Sequence, residues 1–411
     1  MFIHYQKHTL PFKEFVGLMA LVMSLVALSI DSILPALGAI GDSMGNKDPN
    51  DNQLMVGFLF IGLALGQFLF GPLSDSIGRR KSMLIGYSIF FIGSLLAIIA
   101  RDYDTMLFSR FLQGFGVSVA RVLSTAIVRD LYSGRRMAKV MSFIMMIFIL
   151  VPMLAPIIGQ SILTLFNWQA IFIFTGLVGL ISLFWYLIRQ GETLAVADRT
   201  DFTWLRVKQS FHIIFTDRKI IGYVVASGFI TGPFVFFLGS SQQLLQFSYA
   251  LGEYFPLYFA GIAFVLGIAS FVNGKHVVKH GMLKIASISL SLLAVSSIVF
   301  FVTSLFFDGL PPLWITTIYL LILFFCLGLT FGNLTALSME PLGNMAGMGA
   351  AIVGSVSTLM SVLIAIVIGQ FFDGTTYVLT LSFLAASVTI LLLFKWINSV
   401  QAVITKKDLA V

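Results

Sequence analysis

Apolar residues in this chain do not alternate with polar ones; they run. Twelve long apolar stretches follow one another, over 15–37, 53–73, 82–100, 105–128, 137–163, 169–188, 220–245, 255–274, 283–306, 313–338, 345–371 and 376–397. Each is close to the ~20 residues that carry an α-helix across a bilayer core. The period-2 pattern of a membrane barrel is missing, so helical spans are expected. Short polar turns separate most runs, which predicts antiparallel hairpins. The first run is too long for a signal-peptide core and has no small-residue cleavage site after it, so it reads as the first span.

One connection is long. Residues 189–219 are polar and charged, but Phe202, Leu205, Val207, Phe211, Ile214 and Phe215 recur at near-helical spacing. A short amphipathic helix on the membrane surface is expected there. This linker divides the chain into a first bundle over 1–190, a linker over 191–218 and a second bundle over 219–411, with six spans on each side. A weak internal repeat supports the division. Asn273-Gly-Lys-His-Val-Val-Lys-His-Gly281 follows the eighth run as Gly71-Pro-Leu-Ser-Asp75-Ser-Ile-Gly78-Arg79-Arg80-Lys81 follows the second. Paired halves are a transporter signature.

Composition strengthens the class. The chain of 411 residues is 58% hydrophobic and only 10% charged, against roughly 25% charged in soluble domains. The net charge of +7 is explained by topology. Lys7, Lys13, Arg79, Arg80, Lys81, Arg129, Arg135, Arg136, Lys139, the linker cations, Lys275, Lys279, Lys284 and the C-terminal lysines all fall on one side of the span map. The opposite side holds only Lys47 and Arg101. That asymmetry places both termini in the cytoplasm and requires an even number of spans. It also removes the reason to invoke a nucleic-acid partner. The single Cys326 permits no internal disulfide. His4, His8, His212, His276 and His280 have no metal-ligand spacing within a span, so no metal is expected. With no nucleophile–base pair and no nucleotide loop, an enzyme is not expected.

Against this background a few polar residues stand out. Asp31 is the one acid deep inside a run, where a charge costs ~2.5–3.5 kcal/mol on insertion scales. A carboxyl that must neutralise or find a partner is suited to taking up and releasing a proton. Pro35, four residues on, removes a hydrogen bond from the Asp31 carbonyl, so a helix kink is expected beside the carboxyl. Arg110 and Arg121 are the strong cations inside spans. Eleven residues apart, they fall on one helix face, with Gln113 nearby. Arg110 is expected to sense the Asp31 charge directly or through water, and a conformational switch requires that contact to change.

The Gly71–Lys81 loop is expected to work as a gate. Gly71 and Gly78 permit close turning, Asp75 suits a helix N-terminus, and Arg79 and Arg80 can pair with Asp130, latching this side shut. Pro152, Pro156 and Gly159 are expected to bend the fifth span. A substrate cavity is expected to be lined by Asp31, Gln113, Arg121, Ile149, Phe234, Phe237, Gln242 and Asn333. Aromatics beside Pro233 suit an apolar or aromatic molecule.

These motifs carry a resemblance. The Asp75 loop is similar to the major facilitator superfamily loop Gly-x-Leu-x-Asp-x-x-Gly-Arg-Arg/Lys. Arg110-Phe-Leu-Gln113-Gly114 resembles that family's fourth-span motif, and Ala155-Pro156-Ile-Ile-Gly159 its antiporter motif. Asp31-Ser-Ile-Leu-Pro35, Arg129-Asp130-Leu-Tyr and Met153-Leu-Ala-Pro156 together resemble the Bcr/CflA (bicyclomycin-resistance) drug:proton antiporters of the bacterial inner membrane. The resemblance implies twelve helices in two six-helix halves around a central cavity. It further implies proton-driven export of small, often aromatic molecules by rocking of the halves, with Asp31 as the protonation site. No cofactor is implied, and a monomer is favoured. Arg121 matches none of these motifs. A dedicated metabolite or siderophore transporter of the same fold is the alternative.

Overall fold

The computed structural model describes residues 10–201 and 203–408. Lys7, His4, His8 and Phe202 lie outside the described residues. Among the described residues every regular element is helical, and twelve helical segments are long and apolar enough to cross a membrane. The first half comprises α1 (Phe12–Asp31), the short α2 (Leu37–Ser43), α3 (Leu54–Ile77), α4 (Arg79–Ile99), α5 (Tyr103–Leu131), α6 (Gly134–Leu165) and α7 (Gln169–Arg189). After the linker helix α8 (Trp204–Thr216) come α9 (Arg218–Ser241), α10 (Phe255–His280), α11 (Met282–Leu305), α12 (Leu313–Met339), α13 (Ala346–Gly369) and α14 (Tyr377–Asp408).

Within the first half, α5 packs along α3 and α4, and α1 lies against α5, α6 and α7. Small residues set these distances. A Cβ on Gly114 would overlap the Leu59 carbonyl, so α5 and α3 approach to backbone contact. In the second half, α9 packs on α12, α13 and α14, and α12 on α10 and α11. The halves meet along two seams, α3 against α13 and α6 against α10. One end of the bundle carries both terminal helices and the linker; it is called the linker end here, and the opposite end the far end.

The expectation for the linker helix needs correction, whereas the one for α6 does not. α6 runs unbroken through Pro152 and Pro156. A continuous helix is compatible with the bend expected at these prolines. The linker helix forms, but part of its apolar face is taken up by protein. Ile214 is fully buried with Ile220, Val224, Leu342 and Ile352, and Phe211 packs edge-on to Phe68 at 5.4 Å. Leu205, Ile213 and Phe215 stay exposed and are the part of the helix left for a membrane surface.

Candidate functional site

Asp31 stands where the first span breaks. α1 ends at this residue, Ser32 and Ile33 form a turn, and Leu34–Ala36 form one 3-10 turn before α2 resumes. Pro35 has no N–H to offer the Asp31 carbonyl, so the helix cannot run on through it. Asp31 is 5% exposed. Among the described residues its carboxylate has no hydrogen bond and no ion pair. α6 presses onto the break: a Cβ at position 159 would overlap the Ser32 carbonyl oxygen, so glycine alone lets the helix come this close.

Arg110 lies nearby but does not touch the carboxylate. Its Nη2 donates to the Ser29 carbonyl at 2.7 Å, its Nε to the Met55 carbonyl at 3.3 Å, and its Nη1 to Gln113 Oε1. Phe172 covers it, with the ring centroid 5.7 Å from the guanidinium carbon. Ser29 is in the last turn of α1, where carbonyls lack intrahelical donors. Arg110 thus ties α5 to α1 and α3 two residues before Asp31, through backbone. Gln113 passes the connection on, donating from Nε2 to Ser94 Oγ on α4 at 3.0 Å. Gln113 is 1% exposed, so the structure places it inside the first bundle and not on a cavity wall.

Gln242, also placed on the cavity by sequence, instead joins the halves at the far end. Its Nε2 donates to the Pro35 carbonyl at 2.6 Å and its Oε1 accepts from the Gly38 N–H at 2.9 Å. It therefore grips the segment just beyond Asp31. Gln53 and Gln243 share a bond of 2.9 Å, Gln243 reaches the Pro49 carbonyl, and Asn50 reaches the Phe372 carbonyl at 2.8 Å. Lower along the seam, Ser355 Oγ donates to the Ala64 carbonyl at 2.7 Å.

The other cavity candidates separate. Phe237 is fully buried, stacked on Phe259 at 6.2 Å and edge-on to Phe324 at 5.6 Å, so it belongs to the core of the second half. Phe234 is half-buried against Phe324 and Phe331. Asn333 is buried, its amide bonded to Asn273 Oδ1 at 2.8 Å. Ile149 fills the α6–α10 seam, 2.8 Å from where a Cβ on Gly267 would stand. Arg121 differs from all of these. It is exposed, with Thr125 and Arg129 one and two turns further along the same face. A cation in the middle of a span is costly against lipid, so a water-facing setting suits that face.

At the linker end, Gly78 sits between α3 and α4 at φ +97°, a left-handed conformation that favours glycine. Arg79 is 2% exposed. It donates to Ser74 Oγ at 2.7 Å, Asp75 Oδ1 at 2.6 Å and Asp130 Oδ2 at 2.9 Å. Arg80 reaches the Leu187 carbonyl at 2.9 Å. Gly71 borders the other half, where its Cβ would meet Ala351 at 2.7 Å. The pairing of Arg79 with Asp130 is as expected, but it lies within the first half and does not bridge to the second. The residue missed by sequence is Glu192, whose carboxylate accepts from the N–H groups of Arg79 and Arg80 at 2.9 and 3.2 Å and so caps α4. Thr193 on the same strap donates to Asp130 at 2.9 Å. An acid in a polar linker gives no signal until folding carries it to a helix N-terminus.

Comparison with known proteins matches this architecture. The family model described as Major Facilitator Superfamily matches residues 19–365. An uncharacterized MFS-type transporter, YdgK of Bacillus subtilis, is 29% identical, covering 86% of this chain and 87% of its own length. The bicyclomycin resistance protein homolog of Haemophilus influenzae is 28% identical, covering 85% and 87%. Among solved structures, the xylose transporter XylE of E. coli in a partially occluded inward open conformation superposes with a TM-score of 0.72. It does so over 94% of this chain and 97% of its own, at 16% identity, which speaks to fold alone.

Proposed function

The chain belongs to the major facilitator superfamily, and from that premise we propose that it is a proton-coupled exporter of small, often aromatic drugs or toxic compounds. It is a membrane transporter and not an enzyme. In this reading it sits in a bacterial inner membrane as a monomer, with its termini and linker in the cytoplasm, where the cation asymmetry of its loops directs them. It needs no cofactor, because the proton gradient drives it. The bicyclomycin resistance protein homolog among its relatives supports drug export as the physiological direction.

The observation that carries the reading is the condition of Asp31. A buried carboxyl with no partner, at a helix break that both α6 and the second half grip, is easily neutralised and easily felt elsewhere. When the far end opens, periplasmic protons reach Asp31 and neutralise it. The halves then rock, and release of the proton to the cytoplasm resets the site for substrate. Arg110 holds the end of α1 in place during this cycle, and the gate residues Gly71, Asp75, Gly78, Arg79, Arg80 and Asp130 keep the linker end of the first half rigid.

Inside-out vesicles with an imposed proton gradient test this. A pH dye records proton movement on addition of each of a panel of drugs, for wild type and Asp31→Asn. Compound-specific proton efflux that vanishes in the variant is expected. An Asp31→Asn protein that still pumps against a gradient would defeat the proposal.

A further inference from the structure

Arg121 is a cation that the fold leaves uncompensated. It lies 18 residues into α5 from Tyr103, about 27 Å along the helix from the far end, and ten residues, about 15 Å, from Leu131 at the linker end. Among the described residues its guanidinium has no hydrogen-bond or ion-pair partner. Arg110, on the same helix, has three acceptors and an aromatic cover. The contrast matters, because Arg110 is buried and satisfied within the protein, whereas the donors of Arg121 are exposed and open to a ligand. Among the described residues no acid or other acceptor matches this mid-span arginine.

The exposed charges of the spans towards the linker end are mostly of the same sign. Arg129 is exposed two turns further on, and Arg136 and Lys139 are exposed at the start of α6. On the second half at the same end, Lys275 and Lys279 are exposed on α10 and Glu340 is exposed at the end of α12. Asp130 is engaged by Arg79 and Thr193. Asp31 stands about 28 Å along α1 from Phe12 and so about 13 Å beyond the level of Arg121, too far for contact. A passage with a positive mouth and one free guanidinium in its depth concentrates anions and rejects cations.

We propose that Arg121 is the anion-recognition point of the passage, and that the transported molecules carry an ionised carboxylate or sulfonate. The planar fork of the guanidinium matches such oxyanions bidentately, whereas an ammonium offers a point charge. The proposal rests on the exporter reading and adds a consequence to it. Export of one monoanion against entry of one proton moves two charges in the same electrical direction, so an inside-negative potential drives both. A neutral substrate exchanged for one proton moves one.

The test uses the full chain in nanodiscs and proteoliposomes with matched probes: dansylglycine and 2-naphthoate against their neutral primary amides. Binding is read from probe fluorescence for wild type, Arg121→Gln and Arg121→Lys, each first checked for a monodisperse, folded profile. Wild type is expected to bind the acids at least about 30-fold more tightly than the amides. Arg121→Gln is expected to lose that preference while binding the amides as before, and Arg121→Lys to recover part of it. Collapsing the membrane potential at constant pH gradient is expected to slow transport of the acid more than of the amide. Equal binding of acid and amide by wild type, a preference that survives in Arg121→Gln, or no binding of either acid would each overturn the proposal. If neutral drugs still move protons in such a case, the exporter reading stands without it. If the acids bind at Arg121 but no compound moves protons, anion recognition stands and proton-coupled export falls.

Discussion

A buried carboxyl and a buried guanidinium that do not touch impose different demands on their surroundings. Asp31 has no partner, so replacing it with a neutral amide removes a cost and no bond. Asp31→Asn is therefore expected to unfold at the same temperature as wild type or a higher one in detergent, while compound-driven proton movement falls to background. A lower melting temperature would mean that the carboxylate is held by a partner and is structural. Arg110 presents the opposite case. Its side chain satisfies the Ser29 and Met55 carbonyls and Gln113 Oε1, and buried acceptors left open cost ~1–3 kcal/mol each. Arg110→Met is expected to lose roughly 3 kcal/mol, seen as a lower melting temperature, and Arg110→Lys to lose somewhat less, because an ammonium still donates although it cannot fork across two helices. Sequence made these two positions legible because a charge in an apolar run is rare. It could not show that Arg110 would be bound by carbonyls, since backbone acceptors look the same at every position. Glu192 was illegible for a related reason: its partners are the N–H groups of Arg79 and Arg80, which any sequence would offer.

At the scale of elements, the decisive event is the interruption of the first span. Pro35 marked it in the sequence, and α1 ends at Asp31 as the missing N–H requires. Pro152 and Pro156 lie on α6, yet that helix continues where it packs against α1 and α10. Proline alone does not separate these outcomes; the neighbouring packing does, since the chain just past Asp31 meets α6 at Gly159. Gly159→Ala puts a methyl group into the Ser32 carbonyl oxygen. Overpacking of this kind costs about 1–3 kcal/mol, and here the strain falls on the Asp31 segment itself. We expect Gly159→Ala to fold with a lower melting temperature and to lose most substrate-driven proton movement, whereas Gly176→Ala, where a Cβ meets nothing within 4 Å, changes neither. Retained coupling in Gly159→Ala would show that the contact is packing only. The aromatic positions on α9 were read in sequence as cavity lining, but the period of a helix in a bundle does not say which neighbour it faces. Phe237 faced Phe259 and Phe324.

For the whole molecule the question is what holds the two halves in this arrangement. The far end is joined by amide side chains: Gln242 to the Pro35 carbonyl and Gly38 N–H, Gln53 to Gln243, and Asn50 to the Phe372 carbonyl. Such bonds are neutral and individually worth about 1 kcal/mol, weak enough to break singly and directional enough to set register. The charged contacts of Arg79, by contrast, stay within the first half and its strap, so they brace that half and do not tie it to the other. Opening the far end must therefore break the Gln242 bonds, and those bonds hold the segment just past Asp31. Gln242→Ala removes two of them, about 2 kcal/mol, which corresponds to roughly a 30-fold shift of the two-state equilibrium towards a far-end-open form. Spin labels at Lys47 and Asp308, both exposed at the far end, report the separation of the halves there. The wild type is expected to give one short-distance population and Gln242→Ala a second, longer one, which Asp31→Asn in the same background enlarges if neutralising the carboxyl favours opening. If Gln242→Ala leaves the distances unchanged, the amides merely decorate a seam that α3 and α13 hold by packing. The link between the far-end seal and Asp31 would then have to run through α6 and Gly159.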